Sequence, residues 1–183
     1  MKKILLIAGI VFGTFVVAVL VACLTLASEF ALDRSIRIQA SPEEVHAYVG
    51  HLDRWPEWTP WEQMDDTMVV KPGASTTGIG ASQSWEGKDG QGELVFTKCD
   101  PASGIAYDMK FINGEIEAPS ACAMTYTRDG EATVVHWTME GDAADMMPAL
   151  MAGPMRVLME VAISEAFDTG LAELKTKVEG AKG

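Results

Sequence analysis

A chain of 183 residues has room for one domain and an appendage. It carries 14 basic and 26 acidic residues, and since Lys2 and Lys3 are the only charges ahead of Glu29, the rest holds 12 against 26, a net of −14. Such a body repels phosphate backbones and anionic headgroups, which argues against nucleic-acid partners. The three cysteines form no CxxC, and His46, His51 and His136 lack ligand spacing, so neither a metal nor another cofactor is expected.

Behind Met1-Lys2-Lys3 lies an uncharged run from Ile4 to Ala27, 24 residues long, enough to span a bilayer once. The expected division is a membrane anchor over residues 1–28 and a folded domain over 29–183. The lysine pair holds the front end in the cytoplasm and puts the domain on the far, periplasmic side of a bacterial-type membrane. Leu20-Val21-Ala22-Cys23 resembles a lipobox, so the segment reads either as an uncleaved signal anchor or as a lipoprotein signal.

Leu32 to Gln39 alternates apolar and polar residues, as a half-buried strand does. Ser41-Pro42-Glu43-Glu44 then starts a helix, with Ser41 as N-cap, Pro42 at the first position and Glu44 closing a capping box. Trp55, Trp58 and Trp61 follow, separated by Pro56 and Pro60, which forbid a long helix. Three indoles so close share a surface: a plug for one end of the core, or the rim of a cavity or a membrane contact.

From Thr67 the period is two. Strands are expected at Thr67–Lys71, Ala81–Glu86, Glu93–Cys99, Ile105–Phe111, Ser120–Thr127 and Thr133–Glu140, joined by turns such as Lys88-Asp89-Gly90 and Arg128-Asp129-Gly130-Glu131. With the Ile105–Phe111 strand between them, Cys99 and Cys122 sit two strands apart, too far for a disulfide.

The last element is a long amphipathic helix. Its apolar stripe runs through Met155, Leu158, Met159, Ala162, Ile163, Ala166, Phe167, Leu171, Leu174 and Val178, with Arg156, Glu160, Glu165 and Asp168 on the wet side. Gly153-Pro154 is expected to kink it or to cut off a short preceding segment. The sum is an α+β fold, a curved antiparallel sheet of about seven strands wrapped on one long C-terminal helix, preceded by a transmembrane helix.

Four stretches carry a family resemblance: Arg34-Ser-Ile-Arg-Ile with Ala40-Ser-Pro-Glu-Glu-Val45, Trp55-Pro-Glu-Trp-Thr-Pro-Trp61, Gly78-Ile-Gly-Ala-Ser-Gln-Ser-Trp-Glu-Gly87, and Val135-His-Trp-Thr-Met139. Together they resemble the START-like helix-grip superfamily, SRPBCC, and within it the membrane-anchored proteins described as polyketide cyclase/dehydrase and lipid-transport. The resemblance implies a cavity for an apolar ligand between sheet and helix. The inward-facing candidates are Trp85, Phe96, Tyr107, Met109, Met124, Tyr126, Trp137, Met139, Met155, Met159 and Ile163. It implies no catalytic residue, and no GxSxG, P-loop, HExxH or GxGxxG motif is present. Asp108 and His136 alternate away from the apolar faces, and Glu86 is expected to be exposed.

Three readings stay open. The chain is a non-catalytic binder or carrier of a small hydrophobic or lipid-like ligand, a polyketide cyclase/dehydrase-like enzyme using Tyr107 or Tyr126 as donor, or an envelope interaction protein with a vestigial cavity. Its oligomeric state is open as well.

Overall fold

The computed structural model describes residues 10, 12–15, 17, 21, 25–88 and 90–181. The alternating runs become β1 (Glu29–Ile38), β2 (Val69–Pro72), β3 (Ser82–Gly87), β4 (Gly90–Asp100), β5 (Gly104–Asn113), β6 (Ile116–Asp129) and β7 (Ala132–Asp142). They form one antiparallel sheet in the order β1-β7-β6-β5-β4-β3-β2. From β2 to β7 each strand pairs with its successor. The chain reaches that meander from β1 by way of helical segments that cross to the far edge, and β7 then closes back on β1. A register shift between Phe96 and Lys98 bulges β4 and adds to the bend of the sheet.

The first crossing helix, α1 (Pro42–Val49), starts as its sequence dictates. The Glu44 N–H donates to Ser41 Oγ, and the Ser41 N–H donates to Glu44 Oε2 at 2.7 Å. Such a cap stabilises a helix by about 1 kcal/mol. A 3-10 turn (Leu52–Glu57) and the short α2 (Trp61–Met64) follow, broken up by the two prolines. The strand expected from Thr67 begins only at Val69, because Thr67 is occupied in holding Asp65: its N–H and its hydroxyl both donate to Asp65 Oδ1.

The C-terminal helix, α3 (Ala149–Gly180), runs 32 residues without interruption, roughly 48 Å at 1.5 Å per residue. The break expected at Gly153-Pro154 does not occur. Pro154 is the sixth residue of the helix, so its missing N–H costs one backbone bond near the end of the element. Gly153 answers a packing demand instead, since a Cβ there would lie 2.5 Å from Leu26 Cβ.

The C-terminal half of α3 grips the sheet with Ala166, Phe167, Gly170, Leu171, Leu174 and Val178, all buried. Phe167 stacks on Trp137, ring centroids 3.9 Å apart and 6° from parallel. Gly170 permits that approach, because a Cβ there would stand 3.1 Å from Trp137 Cζ3. The N-terminal half departs from the expected stripe. Leu158 and Ala162, expected inside, are exposed, while Arg156 and Glu160, expected in water, are half-buried and paired at 2.6 Å.

The expected membrane span, residues 4–27, lies largely outside the described residues. Among the described residues no helix is long and apolar enough to cross a membrane. Ile10, Phe12, Phe15, Val17 and Val21 are helical and exposed. Cys23 and the Asp89 of the β3–β4 turn are also outside the described residues. Cys99 and Cys122 are free thiols, and β5 stands between their strands as expected.

Candidate ligand cavity

One end of the sheet gathers the start of β1, the ends of β5 and β7 and the β3–β4 turn, and α3 begins there. At this end a cavity of about 270 Å³ lies between the sheet, the tryptophan segment and the middle of α3. Its sheet wall is Val70, Gln83, Trp85, Leu94, Tyr107, Met109, Phe111 and Met139. Alternation explains the set: Tyr107, Met109 and Phe111 share one face of β5, and Leu94 faces Met109 across the β4–β5 ladder. Ile163 and Phe167 come from α3, and Trp55, Pro56, Thr59, Trp61, Glu62, Met64, Asp65 and Met68 come from the crossing segment. Trp85 can lie flat in this wall because Gly92 opposes it. A Cβ at Gly92 would sit 2.3 Å from Trp85 Cζ2. Phe111 meets the Trp85 ring edge-on at 5.7 Å.

The polar groups of the wall are few and mostly committed. Trp137 Nε1–H donates to Tyr107 Oη at 3.0 Å, and burial pushes the phenol well above its usual range. It is therefore a neutral phenol across the physiological range and no general base. The Asp65 carboxylate, 3% exposed, accepts from Thr67 and lies 3.6 Å from Lys88 Nζ. Glu62 is exposed at the rim. Gln83 is half-buried, and its amide makes no hydrogen bond among the described residues. Among the described residues no cluster of three His, Cys, Asp or Glu could hold a metal ion.

Of the eleven residues expected to face a cavity, Trp85, Tyr107, Met109, Met139 and Ile163 line this one. Phe96, Met124 and Trp137 are buried in the closely packed core instead. Met155 and Met159 are half-buried on α3 outside the wall, Met159 packed against the core. Tyr126 stands at the opposite end of the sheet, its hydroxyl 3.3 Å from His46 Nδ1. His46 is buried, with Nε2 3.4 Å from Cys99 Sγ, and burial first, then the neighbouring His51, hold it below its ordinary value of 6.5 against a smaller upward pull from Asp100. Asp108 and Glu86 are exposed, and His136 pairs with Asp33 on the outer face, as the alternation implied.

The tryptophan segment divides between its two expected roles. Trp58 is sealed inside the core, Trp55 both fills the core and touches the cavity, and Trp61 is a half-buried rim. Leu94 shares the face of Phe96 and Phe167 lies on the apolar stripe of the helix, whereas Met64 and Met68 join the wall without a signal of their own in the sequence. Only the rim role of the Trp segment points there, because nothing local in the sequence says how the crossing segment lies over the sheet.

No curated protein matches the chain. Solved structures share its shape at low sequence identity. The di-domain ARO/CYC StfQ of the steffimycin biosynthetic pathway aligns with a TM-score of 0.66 at 14% identity, over 85% of this chain and 52% of StfQ, so the chain spans about half of that protein. A protein of Thermus thermophilus aligns at 0.59 and 17% identity, covering 84% of this chain and 100% of the other. The Aha1 dimer of Colwellia psychrerythraea aligns at 0.57 and 15%, covering 84% and 99%. At these identities the likeness is one of fold, and a fold of this kind hosts unrelated functions. The sequence itself matches the family described as polyketide cyclase / dehydrase and lipid transport over residues 29–179, from the first residue of β1 to the penultimate residue of α3. The chain therefore belongs to that family of the SRPBCC superfamily, and its α+β body is a helix-grip fold.

Proposed function

We propose that this protein binds a small hydrophobic or lipid-like molecule in the cavity between β3–β5, α2 and α3, without covalent chemistry, while residues 4–27 hold it to a membrane with its folded body on the periplasmic side. One observation carries the reading: an open, aromatic- and methionine-walled space whose ionisable groups are already engaged or at the rim. Apolar walls with one or two polar groups are the usual make-up of a small-molecule site. Methionines at 64, 68, 109 and 139 let the wall adapt to varied shapes. Cys23 keeps the lipoprotein alternative for the anchor.

A cyclase-like enzyme is the second reading, favoured by Gln83, whose amide is unengaged among the described residues and could hold a substrate carbonyl in the cavity that Tyr107 also lines. The open cavity speaks against the third, an interaction protein with a filled interior.

The test is extraction of the full chain, purified from membranes, followed by mass spectrometry of what it carries. The expected result is one class of hydrophobic molecule in near-stoichiometric amount, above the level recovered with an unrelated single-pass protein. Recovery of bulk phospholipid alone, at that background level, overturns the carrier reading.

A further inference from the structure

The first half of α3 turns an apolar face to solvent. Leu150, Met151, Val157, Leu158 and Val161 are 42%, 51%, 44%, 63% and 56% exposed. Spaced by three and four residues with Pro154 among them, they form one continuous outward stripe at 3.6 residues per turn. Further along the same face the stripe stops, and Glu165, Asp168, Thr169 and Thr176 take over. Burial of the charges follows the same division. Between Ala149 and Ser164 the only charged residues are Arg156 and Glu160, and they pair with each other on the half-buried side. Isolated exposed apolar residues are ordinary, but a contiguous run of this kind marks a contact surface.

The place where the anchor joins the body identifies the contact. Leu26 packs against Gly153, inside the stripe's own stretch of helix, and the Ala143 N–H donates to Ser28 O. The described end of the apolar run, at Leu26, therefore meets the domain beside the first turns of α3. The described residues of that run do not cover the stripe, since Phe12, Phe15, Val17 and Val21 are exposed themselves. The cavity lies at this end of the sheet too, and Ile163 in its wall is two residues past Val161.

We propose that the outward face of residues 150–161 lies in the interface of the same bilayer that residues 4–27 cross, which sets the cavity end of the domain against lipid. The inference rests on the anchor assignment made above. A helix with one apolar face and few charges sits in the headgroup–acyl boundary by burying that face. The tether holds it at high local concentration, so a contact too weak to recruit a free domain suffices. The stripe offers no lysine, and the body's charge of −14 opposes anionic headgroups, so the matching surface is zwitterionic phospholipid.

The full chain, reconstituted in nanodiscs of phosphatidylcholine doped with a diazirine-bearing phosphatidylcholine, tests this by photolysis and mapping of the adducts. The expected pattern is adducts on residues 4–27 and also on 150–161, with none on 172–176 of the same helix face. A Leu158→Asp, Val161→Asp double variant alters only exposed positions and is expected to lose the second set while keeping the first. Adducts confined to residues 4–27 leave the anchor standing and overturn the stripe's contact with lipid. The same holds if 150–161 is unlabelled because a second copy or the chain's own anchor covers it. Recovery of the chain free of nanodiscs removes the anchor and this proposal together.

Discussion

Replacing Gly104 by alanine is expected to lower the stability of the domain by about 3–5 kcal/mol, a loss built from backbone strain and overpacking together. Gly104 opens β5 at φ +103°, a conformation that an L side chain rarely adopts, and a Cβ there would lie 1.9 Å from the Met124 carbonyl oxygen on the neighbouring strand. That oxygen belongs to the β5–β6 ladder, where Gly104 pairs with Thr125, so neither partner can retreat without breaking strand pairing. Gly130→Ala separates the two causes. Its φ is +64°, but nothing lies within 4 Å of the added carbon, so only the strain of about 1–2 kcal/mol remains. Urea unfolding of both variants checks the contrast. Equal midpoints for the two would show that close approach at Gly104 does not govern this corner of the sheet.

Trp137→Ala is expected to cost about 3–5 kcal/mol, the range for deleting a fully buried large aromatic side chain. The ring is 0% exposed, stacked on Phe167 and met edge-on by Trp58 and Trp61 at 5.5 and 6.2 Å. It joins β7, α2 and α3 in one contact, and its Nε1–H is the donor that holds the Tyr107 hydroxyl. Its loss therefore reaches the cavity wall as well as the grip. Thermal unfolding should show the midpoint shift together with loss of the near-ultraviolet signal from the coupled indoles. A change within about 1 kcal/mol would mean that the neighbouring rings refill the space, contrary to the packing described.

Much of the fold is legible in the residues. Alternation along β5, β6 and β7 gives strand identity and facing, because a period of two leaves one assignment of buried side chains. The Ser41–Glu44 box marks the start of α1 to the residue. The elements that depart from expectation are those whose environment comes from distant chain. Gly153 reads as a breaker from local propensity, but Leu26 and not the helix demands its small size. Arg156 and Glu160 read as solvent-facing, but they are half-buried and paired while Leu158 and Ala162 are exposed, so apolar and polar no longer match inside and outside along this half of α3. In the cavity, the strand residues Trp85, Tyr107, Met109 and Met139 follow from alternation. Alternation also nominates Phe96, Met124, Tyr126 and Trp137, since facing inward does not say at which end of the sheet the interior stays open. The contributions of Met64, Met68 and Asp65 depend on how a proline-broken segment folds across the sheet, which no period encodes.

The central claim is that this end of the sheet, and not the whole interior, takes an apolar ligand. Native mass spectrometry of the full chain with an added saturated fatty acid, comparing Ile163→Trp with Tyr126→Phe, addresses it most directly. Ile163 is a half-buried residue packed against the core at the α3 side of the cavity, and it also lines the open space that an indole there would fill. Tyr126 lies at the opposite end against His46, so its hydroxyl has no part in the cavity. The wild type and Tyr126→Phe are expected to carry one fatty acid per chain with equal affinity, and Ile163→Trp to bind at least ~10-fold more weakly, a loss of about 1.4 kcal/mol, with an unchanged unfolding midpoint. Equal binding by all three, or loss in Tyr126→Phe alone, would contradict the account.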